Sequence, residues 1–179
     1  YVAETFNLAA SVFAANEEAL GLERDDSKTT WFANLNWHVT EDIMLFATAS
    51  TGYKSGGFNS QSGGATPLGE RRIFAPEEVT NYELGIKTSF ADRSVFLNSA
   101  IYYIEWDDVQ LPAGLPCGAG WQSNFGSATT RGAELEVAAY PLRNIELTLN
   151  GAYTDASLDL PVFGSFELPS VPQYTFGGS

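Results

Sequence analysis

The stretch NYELGIKTSF, residues 81–90, divides its side chains by parity. Tyr82, Leu84, Ile86, Thr88 and Phe90 fall on one face of an extended chain, and Asn81, Glu83, Gly85, Lys87 and Ser89 fall on the other. A helix would scatter both sets around its axis, so the two-residue period reads as a β-strand with one apolar and one polar face. IELTLNGAYT (145–154), RGAELEVAAY (131–140) and TWFANLNWHV (30–39) repeat the pattern. In them Leu147, Leu149 and Tyr153, then Leu135 and Val137, then Leu35 and Trp37 oppose Glu146, Asn150, Glu134, Glu136, Asn34 and Asn36.

Working outward, strands are expected near 1–14, 28–39, 43–54, 77–90, 94–109, 123–139 and 144–157, with an eighth starting near 171. Their connections alternate in length. Thr40-Glu41-Asp42, Ala91-Asp92-Arg93 and Pro141-Leu142-Arg143 make tight turns, whereas 15–27, 55–76, 110–122 and 158–170 are long and polar or glycine-rich. Long loops gathered at one end and short turns at the other are the pattern of a transmembrane β-barrel. A 12-residue strand rising about 3.3 Å per residue and tilted by about 40° covers roughly 30 Å along the barrel axis, enough to cross the apolar layer. Aromatic residues near the expected strand ends, among them Trp31, Trp37, Tyr53, Phe90, Tyr103, Trp106 and Tyr140, suit interfacial girdles.

Composition agrees. Aromatics make up 13% and charged residues 17% of the 179 residues, with 17 glycines, a mix that favours β-structure. A net charge of −13 opposes nucleic-acid binding, which relies on lysine and arginine meeting phosphates. The one cysteine, Cys117, can form neither a disulfide within the chain nor a metal cluster. No run of 18 apolar residues and no basic leader is present, so neither a membrane-spanning helix nor a signal peptide is expected.

One stretch invites a different reading. STGYKSGGFNSQSGG (50–64) follows an apolar run and contains Lys54-Ser55, as a phosphate-binding loop would. The glycines that such a loop needs at 48 and 53 are Thr48 and Tyr53, and the glycines and proline of 56–69 forbid the helix that must follow. The stretch is better read as a strand leaving the membrane and turning into an external loop, with Lys54 meeting lipid phosphate or solvent.

GYKSGGFN (52–59), FAPEEVTNYELGIKTSF (74–90), IYYIEWDDVQ (101–110), NFGSATTRGAELEVAAYP (124–141) and LPSVPQYTF (168–176) occur in the order seen in TonB-dependent outer-membrane receptors, and the chain resembles that family from about residue 28 to 179. The resemblance implies an all-β fold: about eight antiparallel strands of a larger, 22-stranded transmembrane barrel, with short periplasmic turns and long extracellular loops. It implies a place in the bacterial outer membrane and import of a scarce nutrient, most often a ferric siderophore. Haem, cobalamin and oligosaccharide remain open as substrates. Implied partners are outer-membrane lipid, the rest of the barrel, an N-terminal plug domain and the TonB complex. The chain is expected to hold only part of the barrel, without the plug, the TonB-contacting segment or the final strand. No enzymatic activity and no cofactor are expected. The alternatives are a passive porin-like channel and a soluble β-sandwich module that binds or hydrolyses glycans.

Candidate ligand residues follow from chemistry. Arg71 and Arg72 form a cationic pair in the 55–76 loop that could clamp the oxygens of an anionic iron chelate, against a solvated or lipopolysaccharide-facing role. Tyr53, Phe58, Trp106 and Trp121 could stack on a planar ligand, against girdle or loop packing. His38, the one histidine, precedes a short turn and belongs at the periplasmic end, far from an external ligand. Glu134 and Glu136 lie about 7 Å apart by two residues of rise, the spacing of an inverting glycosidase pair, but such pairs arise on any polar strand face. Asp107 and Asp108 lack the spacing of a calcium loop.

Overall fold

The computed structural model describes residues 24–59, 73–114, 120–161, 164–168 and 171–179. The strand expected at 1–14 lies outside these. The described chain forms β1 (Phe32–His38), β2 (Ile43–Lys54), β3 (Gly57–Phe58), β4 (Ile73–Phe74), β5 (Glu77–Phe90), β6 (Val95–Asp107), β7 (Gln110–Gly114), β8 (Gly120–Asn124), β9 (Ser127–Leu142), β10 (Ile145–Leu160), β11 (Gly164–Glu167) and β12 (Tyr174–Gly178).

One antiparallel sheet runs β1-β2-β5-β6-β9-β10, and the far edge of β10 is covered by β11 along its upper part and by β12 along its lower part. At 12 to 16 residues, the strands from β2 to β10 in this sheet reach roughly 30–40 Å along a tilted axis. Register carries the two faces unbroken across the sheet. Leu35, Ala47, Leu84, Ile101, Ala133, Tyr153 and Tyr174 form one cross-strand row, and the adjacent row on the opposite face is Asn34, Thr48, Glu83, Tyr102, Gly132 and Thr154. A slip of one residue in any strand would turn its apolar set onto the polar face.

Nothing among the described residues covers the apolar face. Leu35 is 68% exposed and Phe176 81%, while of the buried apolar residues among those described, Val109, Ala128 and Ala156, the two alanines belong to the opposite face. Each large aliphatic side chain left in water forgoes about 1.5–3 kcal/mol of burial. A soluble sandwich would hide this face against a second sheet. A barrel wall presents it to lipid.

At the short-turn end, Ala91, Asp92 and Arg93 all adopt left-handed φ, at 54°, 53° and 62°, and the Ser94 N–H donates to the Ala91 carbonyl at 3.0 Å to close the turn. Arg93 Nε and Ser89 Oγ both donate to Asp42 Oδ1, at 3.1 and 3.0 Å, which ties neighbouring turns together. Hydrogen bonds from Arg93 first and Ser89 second hold the Asp42 carboxyl below the usual aspartate range.

Three sequence expectations need correction. The turn expected at Pro141-Leu142-Arg143 falls at 143–144, because β9 continues through Pro141 to Leu142. Register shifts between Ile145 and Leu147 there, so proline's missing N–H meets a bulge rather than a regular ladder. The stretches 55–76 and 110–122 are not purely irregular, since they carry the paired strands β3/β4 and β7/β8. The loop expected over 158–170 begins late, because β10 runs to Leu160 and β11 returns from Gly164.

Candidate functional site: the external loop roots and the polar wall

Opposite the short turns, the two outward excursions meet at their roots. The first leaves after Lys54 and re-enters at Glu77, which are paired in register. The second leaves after Asp107 and re-enters at Ser127, and is pinned by Val109 N–H to Gly126 O at 2.9 Å and Phe125 N–H to Val109 O at 3.0 Å. Side chains then join one excursion to the other. Glu77 Oε2 accepts the backbone N–H of Gln110 at 2.7 Å, and its Oε1 faces Lys54 Nζ at 3.2 Å. Gln110 Nε2 donates to the carbonyls of Ser55 and Ala75, both at 3.0 Å.

Asn124 and Asn59 complete the junction. Asn124 Oδ1 accepts the Ala75 N–H at 2.7 Å, while its Nδ2 donates to the carbonyls of Asp108 at 2.6 Å and Ala75 at 3.0 Å. Asn59 acts as a substitute strand: its Nδ2 donates to Gln122 O at 2.8 Å and its Oδ1 accepts Gln122 N–H at 2.6 Å. Asn59, Glu77 and Gln110 are buried, and they are the buried polar residues of the described chain. Polar groups sealed from water remain stable when their partners are supplied, and each here has them.

These four residues escaped the sequence reading, which looked for aromatic and cationic loop residues. A signal was present nonetheless. Each lies in one of the quoted motifs: Asn59 in GYKSGGFN, Glu77 in FAPEEV, Gln110 in WDDVQ and Asn124 in NFGS.

Below the junction the polar face forms a wall. Glu83, Lys87, Asn98, Glu134, Glu136 and Asn150 border a hollow of about 490 Å³, in which Asn98 Nδ2 donates to Glu136 Oε2 at 3.2 Å. Tyr102 lies across Gly132 and its hydroxyl hydrogen-bonds Thr154 Oγ1 at 2.9 Å. A Cβ at residue 132 would sit 2.5 Å from that hydroxyl, so glycine is what lets the ring lie flat. Asp107, Asp108 and Asp159 border an open cleft of about 500 Å³. Among the described residues no three candidate ligands gather to hold a metal. His38 pairs with Met44 at the short-turn end, where the sequence put it.

The remaining candidates are dispersed. Arg71 and Arg72 lie outside the described residues. Trp106 is on the polar face in register with Val79 and Ala128, and Tyr53, in register with Glu78, is on the apolar face near Arg24, Asp26 and Lys28. Phe58 pairs with Ile73 in the β3/β4 hairpin, and Trp121 pairs with Ala113 in β7/β8. Tyr53 and Trp106 therefore cannot share one flat ligand across the sheet.

A family model described as TonB dependent receptor-like, beta-barrel, matches residues 5–179. The chain belongs to that family. Among relatives of this TonB-dependent receptor segment, the metal-pseudopaline receptor CntO of Pseudomonas aeruginosa is 28% identical over 141 residues, covering 78% of this chain and 18% of the relative. The ferrichrome outer membrane transporter/phage receptor of Escherichia coli K12 is 25% identical over 134 residues, covering 75% of this chain and 17% of the relative. The segment thus spans under a fifth of the curated relatives' length. The crystal structure of the ferric yersiniabactin uptake receptor FyuA from Yersinia pestis superposes with a TM-score of 0.64 at 25% identity, over 82% of this chain and 22% of that one. These relatives are receptors and transporters, not enzymes, and the shared barrel architecture disfavours the soluble sandwich.

Proposed function

We propose that the segment forms part of the barrel wall of an outer-membrane, TonB-dependent importer of a metal chelate, with a ferric siderophore as the leading substrate class. The plug, the remaining strands and the contact with TonB belong to the rest of the receptor. The observation that carries this reading is the junction of Asn59, Glu77, Gln110 and Asn124, which roots two outward excursions together above a polar wall whose other face is apolar. Such a wall holds capture loops outside and a hydrated path inside. The names of the relatives, receptors for metal-pseudopaline, ferrichrome and ferric yersiniabactin, support the substrate class. Arg71 and Arg72 are proposed to meet anionic oxygens of the chelate, and Phe58, Trp106 and Trp121 to line its approach; Tyr53, on the outward face, is the weakest of the six candidates.

The test is titration of the intact receptor in detergent with ferric siderophores, haem and cobalamin, following tryptophan fluorescence. Saturable quenching by one ferric chelate, weakened by Arg71→Ala with Arg72→Ala, is the expected result. Saturation by haem or cobalamin alone would move the substrate class, and silence toward every compound would remove the metal-chelate reading.

A further inference from the structure

The apolar face is not uniform. Ala47 and Ala49 form the floor of a hollow of about 540 Å³ between Leu35 on one side and Leu84 and Ile101 on the other, with Tyr82 and Tyr103 along one rim. Register sets this arrangement: Leu35, Ala47, Leu84 and Ile101 stand in one row, and Ala49, Tyr82 and Tyr103 in the next on the same face. Large side chains flank the two small ones across four adjacent strands, so the hollow is built by sequence and not by a gap in the sheet.

We infer that this hollow is a discrete binding site for an acyl chain of a membrane lipid. The inference rests on the barrel fold and its lipid-facing surface, and is independent of the substrate proposed above. Three observations carry it. First, the hollow is continuous with the exposed apolar surface of Leu84, Ile101, Leu135 and Leu149 that a barrel presents to lipid. Second, its height is right. Each residue adds about 2.5 Å along the axis at a tilt of about 40°, so Ala49 stands roughly 17 Å beyond Asp42 and Tyr82 roughly 20 Å beyond Phe90, inside an apolar band about 25 Å tall. The hollow therefore occupies the outer half of the band, with the tyrosine rim toward the headgroups, where amphipathic rings settle. Third, its size selects the occupant. It is about three residues tall and four strands wide, roughly 10 by 14 Å. A second protein needs about 800 Å² of contact per side. A hydrocarbon chain needs only a recess that removes it from the mobile lipid and supplies close van der Waals contacts.

The experiment uses the intact receptor in bilayers of phosphatidylethanolamine and phosphatidylglycerol, then native mass spectrometry after release from the bilayer. The unaltered receptor is expected to retain one phospholipid after the bulk lipid has been stripped. Ala47→Leu with Ala49→Leu fills the floor and should abolish that adduct at the same activation energy. Ala133→Leu, on the same face but outside the hollow, should leave it intact. Retention by the filled variant overturns the inference, as does a receptor dimer in place of the lipid adduct. Should the filled variant not fold, photo-crosslinking of the unaltered receptor with a diazirine-chain phospholipid decides. Label concentrated on β2, β5 and β6 supports the site, and label spread evenly over all outward strands overturns it.

Discussion

Replacing Gln110 with alanine should loosen both outer excursions while leaving the membrane-spanning wall intact. The Gln110 amide supplies the part-buried hydrogen bond to Ser55 O and shares Ala75 O with Asn124, so its loss removes one bond outright and weakens the coordination of a second carbonyl. Each of the two bonds is worth about 0.5–1.5 kcal/mol, giving a total of about 1–3 kcal/mol. The glutamate variant should be worse, since it would replace the donor with a carboxylate aimed at two carbonyls beside Glu77. Hydrogen exchange on the intact receptor reads this directly. A change of 1.4 kcal/mol is tenfold, so amides of 55–59, 73–76, 108–114 and 120–126 should exchange roughly 5 to 140 times faster, and those of β5 and β6 within the membrane should be unchanged. Faster exchange confined to 108–114, with 55–59 and 73–76 still protected, would refute the idea that one side chain couples the two excursions.

Two further outcomes test the wall itself. Leu84→Lys places a charge on the lipid-facing surface and should cost about 2–4 kcal/mol in a bilayer unfolding titration, whereas the neighbouring Glu83→Lys on the polar face should cost far less; equal effects would show that the faces are misassigned. Because hydrogen bonding depresses the Asp42 carboxyl in the folded state, its contribution is present at neutral pH and fades as pH falls below about 3.9 and on through the lower folded value. Asp42→Asn should therefore flatten that acid limb of stability, and an unchanged limb would assign the acid sensitivity to other groups.

How much of the fold is legible in the sequence follows from how local each cause is. β2 and β5 agree with the expected 43–54 and 77–90 because alternation and bounding turn residues are both written within a dozen neighbours. The end of β9 was displaced because Pro141 and Arg143 are turn-forming residues locally, yet a bulge at a strand end accommodates the proline. β3 and β4 have two residues each, too few to show any period, and only their pairing across a long excursion makes them strands. The junction was hidden for a related reason. Gln110 and Asn124 look like solvated loop residues until a chain segment some fifty residues earlier supplies the carbonyls that they bind. The hollow is likewise a product of register, since Ala47 becomes a floor only when Leu35 and Leu84 stand beside it.

The junction at the loop roots also works as a socket. Asn59 and Gln122, and Gln110 with Ala75, fasten the excursions close to the wall, so that the stretches between 59 and 73 and between 114 and 120 begin and end at fixed points. Insertions or replacements at the tips are then insulated from the strands, because loop closure costs only about 0.6 kcal/mol for each doubling of length once the ends are held. A socket of this kind lets the stretches beyond it be lengthened or exchanged as interchangeable parts on an unaltered frame of strands.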